Sequence, residues 1–308
     1  MEIPKHIQEL YRHLEHHTKV PQEKKQVSAI LKDNELFQEI EWFINERITL
    51  WEKKTKGMQE PFTEDPILAT YRFCNIYREL DKQTIIFHTL LNPLRNNFPL
   101  WLLNMFYCRM VARPETITFT GLLSFDEKEN NEVYKKLLDS PRPRYGTPYI
   151  FPISTIMKSN TPTRELFIAK HLPNVMEKIT KEILTWDKVS VYDGVERILP
   201  LFTFNHSFLW TEVLIDVAYQ YPEYIDLFSK FPVGPGSMPS MKRISTKHEP
   251  SSLVEDLAKL AIATSITVNQ KPLYLSAENW EGIGCEFRKY TNLKNGKGRK
   301  RIYSKQRK

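Results

Sequence analysis

The sequence has few cysteines and no long apolar run. Three cysteines in 308 residues, Cys74, Cys108 and Cys285, are odd in number and far apart, which excludes a disulfide framework and a CxxC metal site and leaves free thiols. No stretch approaches the roughly 20 apolar residues needed to cross a bilayer. The N-terminal MEIPKHIQELYRHLEHH lacks the apolar core of a signal peptide, and a cytoplasmic location without a membrane partner is expected. RHLEHH sets His13, His16 and His17 at helical spacing beside Glu15, but no further ligand is apparent, so a solvated N-terminal helix is preferred to a metal site. No cofactor is expected.

What is present supports a large core: 41% of residues are hydrophobic and 12% aromatic. The net charge of +7 is unevenly placed. Ten Lys or Arg and no acids lie between Arg288 and Lys308, and subtracting ten from +7 leaves a body at −3. The ending RKYTNLKNGKGRKRIYSKQRK, with Lys289, Lys297, Arg299, Lys300 and Arg301, is either a solvated tail or a grip for a polyanion such as DNA. The organisation expected is one helical domain over 1–290 followed by a basic tail over 291–308.

Helical periodicity dominates. NELFQEIEWFINERITLWEKKTKG places Phe37, Ile40, Phe43, Ile44, Ile48 and Trp51 three and four apart, with Gly57 as a stop. Further helices are expected near 83–92, 99–111, 130–139, 163–186, 206–220 and 252–266, the last opened by a Ser252-x-x-Glu255 capping box. RYGTPYIFPI is a candidate small hairpin, and nothing alternates long enough for a large sheet.

PFTEDPILATYRFCNIYRELDKQT, residues 61–84, reads as one helix capped by Thr63 or Asp65, with Pro66 in its first turn. On its wheel Ile76, Ala69, Leu80, Phe73 and Tyr77 form the core arc, while Asn75, Arg72, Glu79 and Lys82 face solvent. Arg78 and Asp81 fall between, flanking Cys74, Tyr71 and Ile67. They are either a structural ion pair or the wall of a cleft that binds a base or phosphate.

Three ordered segments, ERITLWEKKTKGMQEPFTEDPILATYRFCNIYRELDKQT, VGPGSMPSMKRI and CEFRKYTNLKNGKGRKRIY, resemble the family of α-glutamyl/putrescinyl-thymine pyrophosphorylases, also described as the helical domain of 5-hydroxymethyluracil DNA kinases. The resemblance runs from about Glu46 to Tyr303. It implies an all-α fold like helix-hairpin-helix DNA glycosylases, with at most a small β-hairpin, and chemistry on modified bases of double-stranded DNA. GKGRKR has neither the glycine spacing nor the Ser or Thr ending of a phosphate-binding loop, so kinase activity is not expected.

The activity expected is a DNA glycosylase that excises a hypermodified base, such as glucosylated hydroxymethylcytosine, as a defence against phage. The alternatives are a transferase displacing pyrophosphate from an activated 5-hydroxymethyluracil, and a non-enzymatic binder of modified DNA. The family's hairpin is glycine-rich, whereas here it reads Leu199-Pro200-Leu201-Phe202-Thr203. By resemblance the catalytic carboxylate is Asp226 in EYIDLFSKF, with Asp216 in TEVLIDVAY second. Asp216 is a lone acid among Val213, Leu214, Ile215 and Val217, half-buried for chemistry or merely at the helix surface. Asn205 or His206 stands where a Schiff-base lyase carries lysine, which implies a monofunctional hydrolase and a DNA-contacting turn.

A carboxylate beneath the sugar stabilises the cation that forms as the glycosidic bond breaks, and the target nucleotide must first leave the duplex. Tyr71, Asn75, Arg78 and Asp81 are expected to read the base, with Trp210 or Tyr145 stacking on it. Gly234-Pro235-Gly236-Ser237, leading to Lys242 and Arg243, is a phosphate clamp or a plain helix start. Arg142 and Arg144 in PRPRYGTPY suit backbone contact or simple solvation. Glu286 and Lys289 are expected to pair along a helix, and Cys285 to be a buried thiol.

Overall fold

The computed structural model describes residues 1–21, 23–146, 156, 159–202, 206–245, 249–298, 300 and 302. It is mainly helical, as expected, with two small strand pairs. The chain divides into two compact units: Met1–Glu9, Leu14–Asp81 and Leu227–Lys308 form one, Leu10–His13 and Lys82–Asp226 the other.

Helix α1 of the first unit, Asn34–Thr55, starts where the Asp33 side chain accepts the N–H groups of Glu35 and Leu36 at 3.0 and 3.1 Å. Its stripe of Phe37, Ile40, Phe43, Ile44 and Ile48 is buried, and Gly57, at φ 67°, lets the chain turn away. Helix α2, Pro66–Thr70, is capped by Asp65 as expected, but it ends after five residues.

The single helix read over 61–84 is therefore corrected. From Tyr71 the backbone leaves the helix, bends at Ile76 and Tyr77, and makes a 3₁₀ turn at Arg78–Leu80. Tertiary partners take over the backbone groups that a helix would pair internally. Arg47 Nη2 donates to the carbonyls of Phe73 and Cys74 at 2.9 and 3.0 Å. The Cys74 N–H donates to Glu286 and the Asn75 N–H to Asp81. The wheel fails with the helix: Glu79, assigned to solvent, is fully buried, and Cys74 is exposed.

The second unit contains helices α3 (Lys82–Leu91), α4 (Phe98–Val111), α5 (Pro114–Thr120), α6 (Glu127–Asp139), α7 (Leu172–Ile183), α8 (Val191–Ile198) and α9 (Ser207–Gln220). Helices α4 and α9 are apolar nearly all round and buried on most faces. The helix expected over 163–186 widens into a π turn at Phe167–His171 before α7. Pro173, which has no N–H to donate, follows immediately. Two-residue strands β1 (Val189–Ser190) and β2 (Ile225–Asp226) pair in parallel, Ser190 opposite Asp226.

After Leu227 the chain is again in the first unit, with α10 (Met238–Ile244) and α11 (Pro250–Ala258). Helix α11 is shorter than the 252–266 expected, and Glu249 caps it by accepting the Ser252 N–H. Ala263–Val268 is instead strand β3, antiparallel to β4, Lys271–Tyr274. Asn269 and Gln270 turn between them at φ 49° and 63°. Residues 147–153 of the hairpin expected at RYGTPYIFPI lie outside the described residues. Helix α12, Ala277–Lys294, opens with a Ser276–Asn279 capping box.

The N-terminal histidines are not solvated as expected. His13 and His17 are each 2% exposed, His13 stacked on Tyr219 and His17 edge-on to Phe228. Among the described residues no three His, Cys, Asp or Glu side chains form a metal ligand set, and no helix is long and apolar enough to cross a membrane.

Candidate functional site

In the first unit, segment 71–77 and the turn to Asp81 lie against α1, α12 and Lys300. Four of the residues expected to read a base, Tyr71, Asn75, Arg78 and Asp81, are on this short stretch. Asp81 Oδ1 accepts the Asn75 N–H at 3.0 Å, and Asn75 Nδ2 donates to the Leu80 carbonyl at 2.9 Å. This closes a small loop with the acid at its mouth.

From α12, Glu286 reaches the same segment. Its Oε1 accepts Lys289 Nζ at 2.6 Å, the pairing expected along the helix, and Oε2 accepts Lys300 Nζ at 2.5 Å and the Cys74 N–H at 3.2 Å. Lys300 also sits 4.1 Å from the centre of the Phe73 ring. Tyr71 and Ile302 form an isolated antiparallel bridge. Lys300 and Ile302 are thus integrated into the first unit. Lys297 is exposed, and Arg299 and Arg301 lie outside the described residues.

The two carboxyls are driven apart in acidity. Burial, reinforced by Glu286, pushes Asp81 up to about 6, against the Asn75 N–H, Arg78 and Arg47. Burial also opposes the charge on Glu286, but Lys300 and Lys289 outweigh it and hold that carboxyl below its usual range. Two acids separated in this way, one ionised and one able to carry a proton near neutrality, are what proton-transfer chemistry requires. Burial raises the thiol of Cys285, with Glu281 and Glu286 adding to it, so it is not a ready thiolate.

The Gly234–Ser237 turn meets a neighbouring stripe of α12. The Gly234 N–H donates to Glu281 Oε1 at 3.2 Å, and the N–H groups of Ser237 and Met238 return to the Gly234 carbonyl. Arg288 Nη1 donates to the Pro235 carbonyl at 3.0 Å. An external phosphate at Gly234 has to displace Glu281. Gly236 and Gly284 allow the close approach: a Cβ on Gly284 collides with Ser237 Oγ, and one on Gly236 meets Cys285 Sγ at 2.7 Å. Lys242 and Arg243 are exposed and, with Lys32, line an open groove of about 650 Å³ at the start of α1.

The second unit holds the remaining candidates, and it does not gather them into one site. Asp216 is fully buried rather than half-buried. Its Oδ1 accepts Arg109 Nη2 at 2.6 Å and pairs with His88 Nε2 at 3.0 Å, and its Oδ2 accepts Arg109 Nε at 2.6 Å. Asp226 is partly exposed at the end of β2. Trp210 is a core residue, 0% exposed and packed on Phe106 and Phe202. Tyr145 donates to Glu165 at 3.0 Å with Arg164 over its ring. Arg144 bonds the Ser140 carbonyl and Glu165, while Arg142 is exposed. His206 precedes α9, and burial lowers its pKa. Asn205 lies outside the described residues.

Reading the sequence missed Arg47, which positions segment 71–77. Its signal was present: residue 47 is four beyond Phe43 and three beyond Ile44, a charge on the apolar stripe of an amphipathic helix.

A family model described as the helical domain of 5-hmdU DNA kinases matches residues 34–299, and the chain belongs to that family. A 5-hmdU DNA kinase of Bacillus phage SP10 is 35% identical over 89 residues, which is 27% of this chain and 14% of that protein. The chain thus spans about one seventh of the length of that curated relative. No solved structure matches it significantly.

Proposed function

We propose that the protein acts on modified bases in DNA, and that its reaction is hydrolysis of the bond between a hypermodified base and its deoxyribose. The observation that carries this reading is Asp81, whose carboxyl burial pushes up to about 6, beside Asn75 and near Glu286, which accepts from both Lys289 and Lys300. Such an acid can protonate a departing base, and the surplus positive charge suits the flanking phosphates. The reaction consumes one water and yields the free base and an abasic site in otherwise intact DNA.

Asp226 is the carboxylate that the family resemblance assigns to the sugar, a separate reading that Asp226→Asn tests by itself. Asp216 is a less suitable candidate, since both its oxygens are engaged. The activity of the phage relative enters only as a guide to the substrate, a 5-hydroxymethylated pyrimidine or a derivative of it.

The deciding experiment incubates the full chain with duplexes carrying glucosylated, hydroxymethylated or unmodified pyrimidines. Released base and alkali-labile sites are scored by mass spectrometry and gel. The expected result is base release from a modified duplex only, lost in Asp81→Asn. An intact strand of altered mass in the presence of amines would instead establish a transferase, and retention without product a binder.

A further inference from the structure

Arg47 projects from the buried stripe of α1 and is only 3% exposed. Its Nη2 is satisfied by the carbonyls of Phe73 and Cys74, and its guanidinium lies 5.5 Å from the centre of the Phe73 ring. Its Nε and Nη1 are buried and have no hydrogen-bond partner among the described residues. Three of the five guanidinium hydrogens are therefore unpaired, and those that are paired go to neutral carbonyls rather than to a carboxylate. Leaving a buried charge in that condition is costly, and proteins pair such groups.

Arg47 lines a small cavity with Trp51, Asn75, Tyr77, Leu80 and Ile266. The space open to the centre of a water-sized particle is about 10 Å³, enough for one such particle. A water fills the space but leaves the charge. No carboxylate bonds this edge among the described residues: Glu286 accepts Lys289 and Lys300, and Asp81 Oδ1 accepts the Asn75 N–H. The volume is too small for phosphate or sulfate.

We propose that Arg47, through its Nε and Nη1 edge, binds a single halide ion inside the first unit, chloride under cellular conditions. The ion completes the coordination of the residue that fixes the course of segment 71–77. This inference is independent of the reaction proposed above.

The test uses the full chain in two measurements. Crystals soaked in sodium bromide are expected to show an anomalous peak against Arg47 Nε and Nη1. In solution, thermal unfolding is followed while chloride replaces gluconate at constant ionic strength. Above saturation a tenfold rise in chloride is expected to raise the folding constant up to tenfold, and this dependence disappears in Arg47→Lys, which keeps the charge without the fork. The bromide map on the unaltered protein decides the question if the variant does not fold. Absence of the peak overturns the proposal, and so does a peak with a flat chloride series, which marks adventitious occupancy in the crystal.

Discussion

Arg109 holds Asp216 by both carboxylate oxygens, each at 2.6 Å, and His88 completes the pair at 3.0 Å. Gln220 donates to the other ring nitrogen of His88 at 2.8 Å and also bonds the Leu10 carbonyl. With Gln220 donating to Nδ1, that nitrogen is the acceptor and Nε2 carries the proton given to Asp216.

Because every member of this network is buried, removing one strands the others. Asp216→Asn and Arg109→Met are expected to lower stability by about 3–5 kcal/mol, read from urea unfolding. Asp226→Asn, at a partly exposed strand end, is expected to leave the urea midpoint nearly unchanged. A stable, fully folded Asp216→Asn variant without activity would return Asp216 to the chemistry.

The acidity of Asp81 gives a sign that can be checked. Its carboxyl rises from the ordinary 3.8 to about 6 on folding, so the folded state binds the proton more tightly than the unfolded chain. Stability contributed by this group is complete below about 4 and is lost as pH rises through about 6. Asp81→Asn is expected to flatten that part of the stability profile between pH 4 and 7. If Asp81 donates a proton in the reaction, base release falls above pH 6 in the unaltered protein.

Lys300 ties the chain end to the segment it covers. Lys300→Met leaves Glu286 with Lys289 alone, and faster amide exchange at Cys74, whose N–H donates to the same carboxylate oxygen, is expected by hydrogen–deuterium exchange. Neutralising Lys297, Arg299 and Arg301 together is a separate test. If they pair with DNA phosphates, the slope of log affinity against log salt falls by about 0.9 for each phosphate no longer neutralised.

Gly284 is where α12 meets the Gly234–Ser237 turn. An alanine there drives a methyl carbon into Ser237 Oγ and Met241 Cε. Met241 can shift, but Ser237 is fully buried. Gly284→Ala is expected to cost about 1–3 kcal/mol, measured by thermal unfolding, whereas Gly282→Ala, with open space around its Cβ position, is expected to be neutral or stabilising.

Much was written in the local sequence. The apolar spacing of Phe37 to Ile48, the Asp65 cap with Pro66, and the run from Phe98 to Val111 each specify a helix through neighbours within a turn or two, and the family segments are likewise contiguous. The pairing of Glu286 with Lys289 follows from their spacing alone. Tertiary structure decided the rest. Segment 71–77 carries a helical pattern yet is not helical, because Arg47, Glu286 and Asp81 bind its backbone from positions up to 212 residues away. Asp216 became a core anion only because Arg109 and His88 arrive from other helices. The Asp81 carboxyl rises to about 6 because the fold buries it, with Glu286, brought across by α12, adding to the shift. Periodicity records which face a residue turns inward, but an ion pair or a shifted acid depends on partners distant in the chain, and folding alone selects them.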